Sequence, residues 1–575
     1  MFLQAVSICS NKKHSCDFYL YTQQIRLLNA KSYAILKTKY RMQNSFTLDM
    51  HSVLFRLAVI LFIVIGYINC VSLFRFANHY ENHMVLQREP NQALLWGYGE
   101  TGSLVVLTVA GRTYAARVGS GNANKNIWII KLLPEKPGGP FDLNAWSKVN
   151  GERVNITLND VMFGDVWFCS GQSNMGFTVS MADDSALEIA EADNYPQVRI
   201  LTVGKYASKQ PVDEISKDKI HQHWSVASSA TVGGGAWNYF SAVCWMYGRR
   251  LHDLLNVPIG LISSAYGGSA IEAWSSPNAL SKCSISTPID DNDASQLSWF
   301  WNGMLHPFLR MTIYGVIWYQ GESNSQKVRN YKCEFPEMIK DWRLRWHQAS
   351  NGTTSLNFPF GFVQLSTLGN DLSSYKNANA MVHGFPVIRW QQTAEYGYVP
   401  NPKLPNTFMA VALDLPDNKS PFLGIHPRHK TDVAYRLVLG AQAIAYGKAV
   451  DWTGPIIDRI VLKYVAVRTF DFIVYYKVKS VPKMLDIRSK KGFEVVFTNK
   501  YTKKQTKWLP YNITNSSRYT VSFRVYKFDE LEVTAVRYNW RQQPCQFKKC
   551  AVYSGNLPSP PYIQYAPFDT YYNSK

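Results

Sequence analysis

An apolar run and a polar turn meet in the stretch WFCSGQSNMG, residues 167–176. Residues 161–169 have the aromatic and β-branched composition of a strand, and the letters SGQSN that follow are typical of a turn. Ser173 is therefore expected at a strand end. Open α/β sheets bind ligands in the crevice beyond the carboxyl ends of their strands, so Ser173 is a candidate functional residue. Any polar turn also contains Ser, Gly and Asn, so the rest of the chain has to decide.

Length and composition narrow the class of protein. With 575 residues the chain is too long for one ordinary hydrophobic core, which predicts two to four domains. Its 46% hydrophobic and 18% charged residues exclude a disordered protein. The sequence carries a net charge of +20 but has no basic stripe, zinc-finger spacing or basic helix, so we expect no nucleic-acid partner. A positive field would suit an acidic sugar as substrate.

An apolar run at residues 57–67 has the layout of a secretory signal peptide. Arg56 precedes it, and small or polar residues follow it, so cleavage is predicted near Cys70. Either translation begins near Met50, or residues 1–49 form a cytosolic tail and the run stays in the membrane as an anchor. The run is shorter than the ~20 apolar residues of a membrane span, which favours the cleaved signal. In that case we expect no stable membrane partner.

Cysteines and sequons indicate an oxidising compartment. Six cysteines follow the apolar run: Cys169, Cys244, Cys283, Cys333, Cys545 and Cys550. The last two lie in a polar loop and are predicted to form a disulfide, the middle two are a possible second pair, and the first two lie in apolar runs and are expected to be buried. Five glycosylation sequons begin at Asn155, Asn351, Asn418, Asn512 and Asn515. Together these features predict a secreted or lysosomal glycoprotein.

The pattern of apolar and polar residues changes twice after an N-terminal extension over residues 1–70. Short alternating runs over 71–157 predict a β-sandwich module. Strands alternating with helical patterns over 158–454 predict an α/β domain with a mostly parallel sheet, and β patterns over 455–575 predict a second β module. Helices are predicted over 237–255, 331–346 and 430–446, and strands over 259–263, 314–319, 360–365 and 407–413.

Three further segments share the character of the first one. Polar and small residues follow predicted strands in SSAYGGSAIEAW (263–274) and VIWYQGESN (316–324), and GIHPRHK (424–430) puts a histidine just before a predicted helix. The carboxyl ends of parallel strands meet at one edge of a sheet, so all four loops could emerge together.

The four loops contain the groups that an ester hydrolase needs. Such an enzyme uses a hydroxyl nucleophile, an imidazole that takes its proton, and donors aimed at the oxyanion of the tetrahedral intermediate. Ser173, His426, an N–H of Gly267 or Gly268, and the side-chain amide of Asn324 could supply these parts. Taken singly, His426 is also an ordinary residue before a helix and Asn324 an ordinary turn former.

These loops resemble the four signature blocks of the SGNH hydrolase superfamily, in the form found in the sialate O-acetylesterase family. The similarity runs from about residue 74 to residue 562 and includes NHMVLQR, FPFGFVQLS and VRYNWRQQPC. It implies an SGNH-hydrolase-like three-layer domain flanked by N-terminal and C-terminal β-sandwich modules. It also implies a lysosomal or secreted esterase that removes O-acetyl groups, chiefly at the 9 position, from sialic acids or sialoglycoconjugates and releases acetate.

The resemblance assigns roles to individual residues. Ser173 matches the nucleophile and His426 the base, while Asn324 and the glycine pair, with Gly268 the first choice over Gly267, match the oxyanion donors. The mechanism requires no metal ion or cofactor.

The acid that would orient His426 is the open position. The superfamily commonly has an aspartate three residues before the histidine, where this sequence has Leu423. Asp414 is preferred because it ends a strand that points at the same edge, and Asp417 and Glu322 are alternatives. A Ser–His pair without a strong acid also stays open.

Sugar recognition and the exact activity are open too. Trp274, Arg389 and Trp390 are candidate pocket residues, with packing at a domain contact as the alternative role. The activity itself could be acetylester hydrolysis on another acetylated sugar, such as a plant cell-wall polysaccharide. A secreted carbohydrate-binding protein that has lost activity is the alternative of another class, although the presence of serine, histidine and asparagine together argues against it.

Overall fold

The computed structural model describes residues 74–119, 126–288, 292–326, 328–368, 384–527 and 529–571. The predicted signal or anchor at 57–67 lies outside the described residues. Within the described ranges no helix combines the length and the apolar character needed to cross a bilayer.

Eight strands form the amino-terminal part: β1 Arg75–Phe76, β2 Val85–Gln87, β3 Leu94–Tyr98, β4 Leu104–Val109, β5 Arg112–Arg117, β6 Ile127–Lys131, β7 Gly138–Val149 and β8 Glu152–Gly171. Strands β1, β3 and β6 make a small antiparallel sheet, and β4, β5 and β7 make a second antiparallel group that pairs with β8. Strand β8 belongs to two environments. Its first residues are largely exposed, but from Val161 onward every residue is buried, as expected for a strand covered on both faces.

Strand β8 continues into the central sheet, whose other strands are β9 Val198–Val203, β10 Ile220–Val226, β11 Ile259–Ala265, β12 Gly315–Tyr319, β13 Phe360–Gln364 and β14 Thr407–Val411. Their order is β10-β9-β11-β8-β12-β13-β14. All neighbours are parallel except β10 and β9, which confirms the mostly parallel sheet. After β8 the chain builds one side of the sheet and then crosses to the other. The end of β8 is therefore a topological switch point, where open α/β sheets bind ligands.

Eight α-helices accompany the described strands: α1 Ser173–Gly176, α2 Ser185–Glu191, α3 Ser229–Val232, α4 Ala242–Leu255, α5 Pro277–Lys282, α6 Tyr331–Ala349, α7 Phe385–Gln391 and α8 Lys430–Ile444. The three predicted helices are α4, α6 and α8, and only α4 begins well inside its predicted range.

Helices cover both faces of the central sheet. Trp167 packs against Tyr247 of α4, with ring centroids 5.1 Å apart. The next residue, Phe168, packs against Trp346 of α6 at 5.2 Å. Successive side chains of a strand point to opposite faces, so α4 and α6 lie on opposite sides of β8.

The carboxyl-terminal part is rich in β-structure, as predicted, with strands β15 Ile457–Ala466, β16 Thr469–Tyr476, β17 Asp486–Ile487, β18 Phe493–Asn499, β19 Leu509–Tyr511, β20 Asn515–Ser516, β21 Thr520–Tyr526, β22 Leu531–Tyr538, β23 Val552–Ser554, β24 Leu557–Pro558, β25 Tyr562–Tyr565 and β26 Asp569–Tyr571. They form sheets of five, four and three strands. Phe472, Phe523 and Tyr538 belong to a hydrophobic cluster of this region. The exact domain boundaries stay predictions.

Three disulfides link the described cysteines. Cys545–Cys550 and Cys283–Cys333 pair as predicted. Cys169 and Cys244 are fully buried, as expected, but they also form a disulfide, which joins β8 to α4. Disulfides persist in oxidising compartments, so the three bonds fit a secreted or lysosomal protein.

Candidate active site

The turn that carries Ser173 depends on a close approach between β8 and β12. Gly171 has a φ of +145°, and a Cβ at this position would collide with the carbonyl oxygen of Tyr319. The main-chain N–H of Gln172 donates to the same carbonyl at 3.0 Å. The chain then turns into α1, whose first residue is Ser173. The hydroxyl is thus held at the carboxyl end of β8, beside β12.

Ser173 and His426 form a hydrogen-bonded pair. Ser173 Oγ lies 2.8 Å from His426 Nε2, and His426 Nδ1 lies 2.7 Å from the carbonyl oxygen of Phe422. A carbonyl only accepts, so this contact assigns the imidazole proton to Nδ1 and leaves Nε2 free to accept from the serine hydroxyl. Burial lowers the pKa of His426 below its ordinary value of 6.5, against the raising effect of the Phe422 hydrogen bond. The neutral form, which can act as a base, is favoured.

Asp414, predicted as the acid of the triad, lies elsewhere. Its buried carboxylate accepts from the Arg436 guanidinium at 2.6 and 3.0 Å and from the Tyr553 hydroxyl at 2.9 Å. The prediction that Asp414 orients His426 is therefore wrong. Strand β14 ends at Val411, and after this end the carboxylate turns to Arg436 of α8.

The two alternative acids also have other partners. Asp417 binds the Arg428 guanidinium at 2.6 and 3.0 Å, and Glu322 accepts from the side-chain amide of Asn174 at 2.6 Å. In the described part of the chain no carboxylate is hydrogen-bonded to His426. Leu423, at the superfamily's usual acid position, has a φ of +70°. Its carbonyl oxygen accepts from the main-chain N–H of His426 at 2.9 Å. The geometry matches the Ser–His pair without a strong acid that the sequence left open.

Asn174 connects three elements of the site. Its Nδ2 donates to Glu322 at 2.6 Å and to the carbonyl oxygen of Ile425 at 2.9 Å, and its Oδ1 accepts from Lys430 Nζ at 2.7 Å. Burial raises the pKa of Glu322 to about 7 and lowers the pKa of Lys430 to about 7. Ile425 directly precedes His426, so Asn174 ties the histidine loop to the turn that carries the serine. Sequence reasoning did not assign roles to Asn174 or Lys430, although both lie in the quoted loops.

The candidate oxyanion donors differ in position. Gly267 lines the cavity over the site, and a Cβ there would lie 3.7 Å from the Cβ of Ser173. Gly268, the first choice from the sequence, has a φ of +73° and is not among the residues that line the cavity. The geometry thus favours Gly267 of the two.

Asn324 is held firmly by its neighbours. Its Oδ1 accepts from the Ile271 N–H at 3.0 Å and from Gln320 Nε2 at 2.7 Å. Its Nδ2 donates to Glu272 at 2.9 Å, and the second hydrogen of Nδ2 has no acceptor among the described residues. Asn324 therefore keeps one amide hydrogen without a described acceptor, although, like Gly268, it is not among the residues that line the cavity.

A cavity of about 470 Å³ opens over the Ser–His pair. Its walls are formed by Ser173, Gly176, Thr202, Val203, Gly204, Lys205, His221, Trp237, Asn238, Tyr239, Ser263, Ala265, Gly267 and His426. The Trp237 ring stands edge-on to the His426 imidazole, with centroids 5.3 Å apart. The size of the cavity suits a small sugar ester, because ligand pockets commonly enclose about 300–1,000 Å³.

The three predicted sugar-pocket residues do not line this cavity. Trp274 is fully buried and packs against Trp318. Arg389 is fully buried and donates to main-chain carbonyl oxygens, and Trp390 packs against Trp540 of the C-terminal region. The pocket prediction is wrong for all three, which have the packing role that the sequence also allowed. Lining residues such as Lys205, His221 and Trp237 were not singled out, because no strand was predicted directly before them in the sequence.

Comparisons with known proteins agree with this architecture. Residues 163–420 match the family described as "Carbohydrate esterase, sialic acid-specific acetylesterase", and residues 463–566 match "Sialate O-acetylesterase C-terminal domain". The solved structure of a carbohydrate acetylesterase from Xanthomonas citri superposes with a TM-score of 0.68 at 25% identity, covering 85% of this chain and 99% of that one. These similarities place the chain among the carbohydrate esterases.

Curated relatives narrow the assignment. The sialate O-acetylesterase of Homo sapiens is 43% identical over 505 residues, which cover 86% of this chain and 92% of the relative. The sialate O-acetylesterase of Mus musculus is 40% identical over 527 residues, which cover 85% and 94%. The chain belongs to the sialate O-acetylesterase family.

Proposed function

We propose that the protein is an esterase that hydrolyses O-acetyl esters of sialic acids, chiefly at the 9 position, and releases acetate. The observation that carries the proposal is the 2.8 Å contact between Ser173 Oγ and His426 Nε2 at the base of an open cavity. The names of the curated relatives and of the matching family supply the substrate class.

In the proposed mechanism, His426 Nε2 removes the hydroxyl proton of Ser173 while Oγ attacks the acetyl carbonyl carbon. The Phe422 carbonyl holds the Nδ1 proton and so keeps the imidazole in the required tautomer. The resulting imidazolium then protonates the sugar oxygen as the ester bond breaks, which leaves an acetyl group on Ser173. Water, deprotonated by His426, attacks this acetyl-enzyme, and acetate leaves as Ser173 regains its proton.

The oxyanion of each tetrahedral intermediate needs donors beside Ser173. We assign this role to the main-chain N–H of Gly267 and to the unshared Nδ2 hydrogen of Asn324. The main-chain N–H of Ser173 is a further donor, because the first N–H of a helix has no acceptor within the helix. Preorganised donors of this kind stabilise the transition state most when the site excludes water.

The fold and the compartment extend the proposal. Helices on both faces of a mostly parallel sheet, with the serine at the end of β8, support an SGNH-hydrolase-like three-layer domain. Lysosomal or secreted location is supported by three disulfides and by the sequon asparagines, all of which are exposed. Exposed sequons are accessible to glycosylation in the secretory pathway.

The test is acetate release from a panel of O-acetylated sialosides and xylosides. Ser173→Ala should abolish release while the variant melts like the wild type. Ser180→Ala is the matched control, since Ser180 does not line the cavity and its hydroxyl makes, among the described residues, only a long 3.5 Å contact with Thr178. Acetate release from the xylosides alone would show that the substrate is an acetylated sugar other than a sialic acid. Full activity in Ser173→Ala would remove the proposed nucleophile.

A further inference from the structure

The described walls of the cavity over the Ser–His pair contain basic residue types and no acidic ones. Lys205, His221 and His426 all contribute to its described walls, whereas no Asp or Glu does. Within the described part of the chain the Lys205 ammonium has no hydrogen bond or ion pair, and its side chain is exposed. His221, in contrast, has its Nε2 against the carbonyl oxygen of Asn238. Lys205 therefore brings to the cavity wall a positive charge that has no partner among the described residues.

The backbone around Lys205 is held in place. Strand β9 ends at Val203, where it pairs with Ile220 of β10, and the Gly204 N–H donates to the Lys219 carbonyl oxygen at 2.7 Å. On the other side the carbonyl oxygen of Tyr206 packs so closely on Gly303 that a Cβ there would collide with it. Contacts on both sides therefore fix the main chain of Lys205 at the cavity wall.

The register of the central sheet gives the spacing of the strand ends that carry Lys205 and Ser173. Ser263 of β11 pairs with Cys169 of β8 on one side and with Thr202 of β9 on the other. Lys205 follows Thr202 by three residues and Ser173 follows Cys169 by four, so both emerge at the same edge of the sheet. Two strand spacings, roughly 10 Å, separate Thr202 from Cys169, the strand positions that Lys205 and Ser173 follow. This span is comparable to the distance between the carboxylate of a nine-carbon acidic sugar and an ester on its far end.

We propose that Lys205 binds the carboxylate of the substrate and thereby makes this site selective for anionic sugars. The inference rests on the proposed function and adds to it the residue that binds the carboxylate of the substrate. Lys205 acts in binding, because it meets the substrate at the end opposite to the ester. An ammonium–carboxylate hydrogen bond in a partly enclosed cavity should change kcat/KM by about 10-fold to 100-fold, mainly through KM.

The experiment compares two substrates that differ only in charge. One is a 9-O-acetylated sialic acid glycoside, and the other is its methyl ester, in which the carboxylate is neutral. The wild type should prefer the acid by about 10-fold to 100-fold in kcat/KM for acetate release at O9. Lys205→Met should bring this ratio close to one, and Lys205→Arg should restore most of it. Lys217→Met is the matched control, because Lys217 is an exposed lysine of the neighbouring connection that does not line the cavity.

The outcomes separate this inference from the function it rests on. A Lys205→Met ratio equal to that of the wild type, or a wild type that hydrolyses both forms equally well, would overturn the role of Lys205 and leave the esterase intact. Acetate release from neither form would overturn the proposed function and the role of Lys205 with it. A similar fall in the ratio for Lys217→Met would show that only the overall charge matters, which also overturns the assignment.

Discussion

His426 Nδ1 lies 2.7 Å from the carbonyl oxygen of Phe422, four residues earlier in the same loop. A carboxylate at this place would fix the tautomer and also stabilise the imidazolium by its charge, whereas a carbonyl oxygen supplies the first effect and only a dipole for the second. The orientation of the His426 imidazole therefore depends on the loop backbone. The contacts that hold this loop include the Asn174 amide, which donates to the Ile425 carbonyl oxygen, and the Asp417 carboxylate, which accepts from Arg428.

The first prediction concerns Asp414. Asp414→Asn should leave turnover per folded enzyme within a few-fold of the wild type, because this carboxylate does not contact His426. It should lower the free energy of unfolding by about 3–5 kcal/mol, since it breaks a buried ion pair with Arg436. Activity and thermal melting of the same preparation provide the test. Asp529→Asn, which breaks an exposed pair with Arg468, should change neither property appreciably. A large loss of turnover in a stable Asp414→Asn protein would support Asp414 as the acid of a Ser–His–Asp triad and contradict this prediction.

The second prediction concerns pH. The proposed mechanism needs neutral His426, and burial lowers the pKa of this residue from 6.5. Lowering the pKa extends the neutral form to lower pH, so kcat/KM should stay high down to below pH 6.5 and fall as the imidazole gains a proton. The acidic limb of kcat/KM reports this group in the free enzyme.

Titration of Glu322 could also produce an acidic limb in the pH profile of kcat/KM, because burial raises the pKa of this carboxyl to about 7. The variant Glu322→Gln removes that carboxylate and should keep the acidic limb below pH 6.5. A limb above pH 6.5 in the wild type, or its disappearance in Glu322→Gln, would contradict the assignment to His426.

The sequence predicted that Ser173 and His426 lie at one site because the signal for each is local. Ser173 follows an apolar strand and His426 precedes a predicted helix, and a parallel sheet brings such loops to one edge. The partner of Asp414 is not local: the Tyr553 hydroxyl that binds its carboxylate lies 139 residues away in the chain. A strand-end aspartate looks the same in the sequence whether it faces a histidine or a buried arginine. Only the packing of α8 and the C-terminal strands against β14 decides between these two roles.

The cysteines illustrate the same limit. Cys545 and Cys550 were paired from their short spacing, which any loop can close. Cys169 and Cys244 each lie in an apolar run, where a free cysteine is buried as readily as a bonded one. Their pairing requires that α4 lie on the face of β8 toward which residue 169 points, and this is a property of the tertiary packing alone.

The third prediction concerns this long-range disulfide. The Cys169–Cys244 bond spans 75 residues and the Cys545–Cys550 bond spans 5, so they restrict the unfolded chain to different extents. Replacing both cysteines of the first bond with alanine should cost about 4 kcal/mol of stability, against about 2 kcal/mol for the second. Thermal melting of the two double variants without reductant makes the comparison. Equal losses, or a larger loss for the short loop, would contradict it.

The last prediction concerns the oxyanion. Asn324→Ala should lower kcat by about 100-fold to 1000-fold with little change in KM, because it removes a donor that acts on the tetrahedral intermediate rather than on the bound ester. The variant also removes a hydrogen bond to buried Glu272, so a loss of stability has to be separated from a loss of catalysis. Asn302→Ala is the matched control: Asn302 is buried to a similar degree, donates to the Ser208 carbonyl oxygen at 3.1 Å and lies in the segment Trp301–Leu305, outside the four candidate loops. It should lower the melting temperature and leave kcat unchanged. If Asn324→Ala lost no more activity than Asn302→Ala, the oxyanion would be held by the main-chain donors of Gly267 and Ser173 alone.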